Sequence, residues 1–156
     1  MAFIGGRILG LDVGMRRIGL ALSDPLGITA QGIPTLVRRH LRKDLAHLTR
    51  IAGENSVVLF VAGYPLQLSG DVGRQAILVQ EFTDLLQRHS GIPVKMWDER
   101  FTTVVANRVL RESGMSQEKR GKAVDRLSAV LILQSYLDSV AEEVEWPEDA
   151  NSSDAQ

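Results

Sequence analysis

The sequence predicts an α/β fold, a mixed sheet flanked by helices, and three observations predict it. Two β-rich runs stand a three-residue turn apart near the start, as in an antiparallel hairpin. Strand-like and helix-like segments then alternate. One strand-like run is apolar on both of its faces, as a central strand covered from both sides would be. At 156 residues the chain suffices for one domain with a core and is too short for a second.

Taken in order, RILGLDV (7–13) and RIGLALS (17–23) are joined by Gly14-Met15-Arg16 and read as the hairpin. Ile28 to Val37 follows as a third strand. Leu41 to Ala52 carries apolar residues at 41, 45, 48, 51 and 52, which is helical spacing, and Gly53 is expected to cap it. Ser56 to Ala62 is short and β-branched, the buried central strand. A loop, Gly63 to Gly70, leads to a helix from Asp71 to His89, and Pro93 to Trp97 forms a fifth strand ending at Asp98-Glu99-Arg100. Thr102 to Glu112 reads as a helix, Ser113 to Arg120 as a connection, and Val124 to Leu137 as a buried helix. Residues 1–140 are therefore expected to form the domain and 141–156 an acidic, disordered tail.

Composition narrows the function classes. A hydrophobic share of 44% and a charged share of 24% lie near globular averages and suggest neither an intrinsically disordered chain nor a membrane protein. There is neither an apolar run long enough to span a bilayer nor a secretory signal at the start, so no membrane association and a cytoplasmic location are expected. The absence of cysteine excludes disulfides, thiolate catalysis and cysteine-ligated zinc. The net charge of -1 conceals an asymmetry, because the segment from Glu142 onward has six acids and no Lys or Arg. Residues 1–141 carry 18 basic against 13 acidic residues, a net +5, which permits a polyanionic partner without demanding one.

Three acidic positions could carry chemistry. Asp12 interrupts an apolar strand, where an ionised carboxylate is costly to bury without compensation; it reads as paired with Arg16 or Arg17, as capping the turn amides, or as a metal ligand. Asp98 and Glu99 end a strand as neighbours, so their side chains face opposite sides and only one readily joins Asp12, the other being left to orient Arg100. Asp125 begins a helix whose inward face continues through Ser128, Ala129 and Ile132; it reads as a dipole-complementing acid or as part of a shared site. Three converging carboxylates would suit Mg²⁺ or Mn²⁺, and two such ions can serve phosphodiester hydrolysis. His40, His47 and His89 fall in or beside helices and compete weakly as catalysts.

Gly10-Leu11-Asp12-Val13-Gly14, Arg17-Ile18-Gly19-Leu20-Ala21, Gly63-Tyr64-Pro65-Leu66, Asp98-Glu99-Arg100-Phe101-Thr102-Thr103, and Asp125 with Ala129, Ile132, Leu133 and Gln134 together resemble the YqgF/RuvX family in order and spacing. The resemblance covers residues 7 to 140. It implies a ribonuclease H-like fold related to Holliday junction resolvases, and maturation of the 5′ end of pre-16S rRNA in ribosome biogenesis. It also implies that Asp12, Glu99 and Asp125 are the catalytic metal ligands, with Asp98 a helper. Tyr64 and Ser128 depart from the family's usual aliphatic residue and alanine.

Arg16, Arg17, Arg74, Arg100 and Lys122 are expected to border the acids and contact phosphates. Arg38-Arg39-His40-Leu41-Arg42-Lys43 reads as a solvated charge cluster. With 5% aromatic residues, backbone recognition is favoured over base stacking. The loop 64–73 reads either as a flap over substrate or as a plain connection. Cleavage of pre-rRNA by a monomer competes with resolution of branched DNA by a homodimer, which supplies two sites related by a dyad. A non-catalytic RNA-binding assembly factor and an ATP-using phosphotransferase are the other classes. The phosphotransferase would need a second domain that this chain lacks.

Overall fold

A computed structural model describes residues 6–66, 70, 72–101 and 118–154. Arg7–Val13 (β1) and Arg17–Ser23 (β2) form the expected hairpin, closed by the Gly14 amide donating to the Arg17 carbonyl at 3.0 Å. Ala30–Val37 (β3) pairs antiparallel with β2. It starts two residues later than expected, because the Asp24 carboxylate accepts the amides of Ile28 and Thr29 at 2.7 and 2.9 Å and holds them in a turn.

Leu41–Glu54 (α1) runs through Gly53 instead of ending there. Both the backbone amide and the side-chain amide of Asn55 donate to the Ile51 carbonyl, so Asn55 supplies the stop. Val57–Tyr64 (β4) and Val94–Asp98 (β5) add to the sheet in parallel, giving the order β3-β2-β1-β4-β5. Arg74–Ser90 (α2) lies between them in sequence and ends at Gly91, whose φ of 74° is the left-handed conformation glycine adopts freely. A 3₁₀ turn, Glu99–Phe101, follows β5.

The last helix, Glu118–Asp154 (α3), begins earlier and ends later than the periodicity suggested. It extends over residues 141–154, where Ala141, Glu142 and Glu143 are strong helix formers. The expected helix at 102–112 and most of the connection at 113–120 lie outside the described residues, as does part of the loop 64–73.

Strand alternation divides the core in two. Leu9, Leu11 and Val13 face α1 and α2, packing with Leu45, Leu48, Val79, Phe82 and Leu86. On the other face, Ile8, Ala21 and Val61 pack beneath Ala129, Ile132, Leu133 and Leu137 of α3. That second face also holds Gly10, where a β-carbon would come within 2.8 Å of Leu133 Cβ and 3.2 Å of the Ala129 carbonyl oxygen. The helix thus rests close to the strand backbones, and everything even-numbered on β1 lies under it. Side chains fix its position further: Gln134 accepts from the Ala30 amide and donates to the Ile28 carbonyl, both at 2.9 Å, and Trp97 Nε1 donates to Ser135 Oγ at 3.0 Å. Among the described residues, no helix is long and apolar enough to cross a membrane.

Candidate active site

The parity of β1 sends Asp12 to the face covered by α3, together with Ile8 and Gly10. Its side chain is buried, with 1% of the residue exposed. Directly opposite in β2 stands Gly19. Here α3 comes so close that a β-carbon would meet the Asp125 carbonyl oxygen, with the carbonyl carbon 2.5 Å away. The glycine is therefore what admits Asp125 to the neighbourhood of Asp12, and Asp125 is itself only 3% exposed.

The strand on the other side of β1 repeats the device. Gly63 of β4 lies one residue beyond Ala62, the partner of Leu11, and so level with Asp12. A β-carbon on Gly63 would lie 2.5 Å from Glu99 Oε1 and 2.6 Å from Ile132 Cδ1. Glu99 is 1% exposed and is the acid that turns inward after β5. Asp98 turns away and is gripped by Arg100, whose Nε and Nη2 donate to the carboxylate at 2.9 and 2.6 Å and whose amide donates at 2.9 Å. Sequence parity left the choice within this pair open; the 3₁₀ turn decides it.

Asp12, Glu99 and Asp125 thus come onto one sheet face beneath one helix, from a central strand, a strand end and a helix. Glycines on both neighbouring strands make the room. Among the described residues, no three Asp, Glu or His side chains form a ready-made metal-binding group. The donor chemistry nevertheless fits a hard dication, since the acids offer only oxygen. A second observation points the same way. Ser128, one turn after Asp125 and one before Ile132, is fully buried and its hydroxyl has no hydrogen-bond partner among the described residues, so an oxygen donor stands on the same helix face as Asp125.

The expected basic residues divide. Arg17 Nε binds Asp125 Oδ2 at 2.7 Å, and its guanidinium lies against Gly121, where α3 begins its approach to the sheet. Arg17, one of the two arginines expected near Asp12 across the turn, thus binds the helix acid. Arg100 is held by Asp98, whose carboxyl it keeps below the usual value of 3.8 chiefly through that side-chain hydrogen bond. Arg16 and Arg74 are exposed, Arg74 at the first position of α2. Lys122 is half-buried one turn before Asp125, and its carbonyl accepts the Thr35 hydroxyl at 3.1 Å.

Two features escaped the sequence reading. The register between β2 and β3 shifts so that Pro34 and Thr35 both oppose Gly19, a bulge that aims Thr35 at the start of α3. The buried Asp44 accepts Arg38 Nε at 3.2 Å and the Arg39 amide at 3.1 Å, which removes Arg38 from the charge cluster expected to be solvated. Glycines at Gly10, Gly19 and Gly63 inside strand patterns were the available signal for close approach. A lone Asp in the first turn of α1 gave no comparable sign.

A family model described as "RuvX: Holliday junction resolvase" matches residues 6–139. A protein of Koribacter versatilis named "Putative pre-16S rRNA nuclease" is 58% identical over 135 residues, covering 86% of this chain and 88% of that one. One of the same name from Clostridium novyi is 50% identical over 134 residues, covering 86% and 99%. Among solved structures, RuvC of T. thermophilus in complex with a Holliday junction substrate aligns with a TM-score of 0.54 at 10% identity, over 83% of this chain and 91% of that one. The fold is the expected ribonuclease H-like one, a five-stranded mixed sheet with helices on both faces.

Proposed function

The chain belongs to the RuvX Holliday junction resolvase family, and from that membership we propose that it is a cytoplasmic, metal-dependent endonuclease that hydrolyses phosphodiester bonds in pre-16S rRNA. The observation that carries the proposal is the burial of Asp12, Glu99 and Asp125, each 1–3% exposed, on one face of the sheet with Gly19 and Gly63 cleared to receive them. Carboxylates are rarely buried so fully, and an apolar core has no use for three of them on one face. The names of the relatives support the choice of pre-16S rRNA as substrate.

In this reading Asp12, Glu99 and Asp125 would hold two Mg²⁺ or Mn²⁺ ions, which when bound would supply Lewis acidity at the scissile phosphate and a more acidic attacking water. The protein supplies placement. Arg17 fixes the Asp125 carboxylate through its 2.7 Å bond, and α3 shields the acids from bulk water, which strengthens every electrostatic interaction there. Arg16, Arg74 and Lys122 contact phosphates beside the site. Arg17 and Arg100 do so while sharing their carboxylate partners. Residues 1–140 form the catalytic domain, and the acidic segment 141–156 is an appendage to it.

The family model's description keeps a second reading in view, cleavage of four-way DNA junctions by a dimer. The test is cleavage of pre-16S rRNA and of a four-way junction, side by side, by the wild type and by Asp12→Asn with Mg²⁺ or Mn²⁺. The proposal expects RNA cleavage by the wild type alone, with Asp12→Asn folded and inactive. Junction cleavage without RNA cleavage would move the assignment to the second reading. An active Asp12→Asn would remove the metal site from either.

A further inference from the structure

We propose that the groove between α1 and β3, the edge strand among the described residues, is a second nucleic-acid site, one that holds the sugar-phosphate backbone of the substrate away from the scissile bond. The proposal rests on the nuclease reading for its ligand class, while its geometry is independent of the acids. A cavity of about 620 Å³ opens along Pro34 and Leu36 on one side and Arg39, Lys43, His47 and Arg50 on the other. Among the described residues the one carboxylate that lines it is Asp44, and both of its oxygens are engaged, by Arg38 and by the Arg39 amide. The groove therefore presents an unbalanced positive charge.

The spacing suits a nucleic-acid strand. Lys43, His47 and Arg50 recur at helical intervals of four and three, so they form one stripe along α1. From Lys43 to Arg50 the stripe runs roughly 10 Å at about 1.5 Å per residue, and at about 3.4 Å rise per nucleotide it faces about three phosphates of one strand. Arg39, Lys43 and Arg50 are exposed, and none is the partner of an acid in an ion pair among the described residues. Pro34, which has no amide to donate, stands on the outer edge of β3 and discourages pairing with another strand, which favours a nucleic acid over a β-strand peptide as occupant.

The groove lies on the α1 face, opposite the acids, but it is joined to them through β3. At the bulge, Thr35 lines the groove with Pro34 and Leu36, and its hydroxyl donates to the Lys122 carbonyl on the α3 side. Arg126 lays its aliphatic stem over Gly32 on that other side. The edge of β3 is thus flanked by cations on both faces. Two strand spacings, about 10 Å, separate it laterally from β1 and Asp12. A long or structured RNA crossing this edge would touch both sites, and a short oligonucleotide would not.

The test is binding, measured with the full chain in chelator so that cleavage plays no part. Fluorescence anisotropy with an RNA of about 30 nucleotides is followed against salt concentration. Lys43→Gln/Arg50→Gln should weaken binding at least about 10-fold near 0.1 M salt. It should also reduce the slope of log K against log salt by about 1.4 for a single strand, or about 1.8 for a duplex. The charge-preserving pair Lys43→Arg/Arg50→Lys should retain wild-type binding. Arg88→Gln/Lys95→Gln removes equal charge from α2 and from β5, the opposite edge strand, and should leave the slope unchanged.

Equal losses from the two charge-removing pairs would mean diffuse attraction and overturn the proposal, as would wild-type binding by Lys43→Gln/Arg50→Gln. So would failure of the charge-preserving pair, or a groove that takes up a peptide of residues 142–156 and no RNA. Parallel arms with a DNA duplex separate RNA from DNA as the source of the backbone. Groove-dependent binding by a protein that never cuts would leave this site standing and remove the nuclease reading. Cutting with no groove dependence would do the reverse.

Discussion

Replacing Gly19 with alanine adds one carbon and should cost the protein both stability and activity. The new β-carbon would lie against the Asp125 carbonyl oxygen, 2.5 Å from its carbonyl carbon and 3.3 Å from the Arg126 amide nitrogen. Carbon atoms pack best at about 3.5–4.0 Å, so the first turns of α3 must retreat by about 1 Å. The obstacle is backbone, which has no rotamer to escape into. β2 is held in turn between β1 and β3 and yields little. Overpacking of this kind costs about 1–3 kcal/mol, readable as a lower denaturation midpoint at unchanged slope in urea.

The same displacement moves Asp125 relative to Asp12 and Glu99. A shift of about 1 Å in a catalytic constellation costs about 10²-fold in rate, so Gly19→Ala should lose that much metal-dependent cleavage while remaining folded at 25 °C. Wild-type stability together with wild-type cleavage would refute the close approach of α3 and the site built on it. Lost stability with full activity would leave the packing intact and remove Asp125 from the chemistry.

Further outcomes follow from the two charged pairs outside the acid cluster. Arg38→Ala leaves the 2%-exposed Asp44 without its ion-pair partner and removes the guanidinium lying 4.8 Å over the Phe82 ring. It should destabilise the fold by about 3 kcal/mol in denaturant, and Arg38→Met/Asp44→Leu should recover most of that loss. A neutral Arg38→Ala would show the pair to be dispensable. For Asp98, Arg100 lowers the folded carboxyl below its usual 3.8. Its contribution to stability is therefore fully present above about pH 4 and lost as pH falls through the lowered folded value. In Arg100→Gln, an NMR titration of Asp98 should return toward 3.8; an unchanged titration would contradict the assignment of Arg100 as the cause.

Much of this was legible from residue order alone, for identifiable reasons. The hairpin of β1 and β2 was, because its β-rich runs and glycine-opened turn have no helical alternative at that length. Asp12 stood out because a charge inside an apolar strand needs an explanation. The choice of Glu99 over Asp98 was legible only through the family resemblance, since alternation says that neighbours diverge without saying which turns inward, and a 3₁₀ turn resets the alternation there. The start of β3 was misplaced because Asp24 captures two amides through its side chain, a tertiary-like contact made locally. Gly53 was read as a stop because glycine commonly ends helices, yet nothing lies within 4 Å of where its β-carbon would stand and the helix simply passes through it. The role of Arg38 depended on Asp44, Gly14 and Phe82 meeting in space, and no spacing announces that.

The central claim is that folding gathers Asp12, Glu99 and Asp125 to share divalent cations. A crystal soaked in Mn²⁺ and measured at the manganese edge tests it most directly. Anomalous density bounded by those three carboxylates, and lost in Asp12→Asn, is the predicted result. Manganese that binds elsewhere, or a soaked crystal with no peak beneath α3, would contradict it.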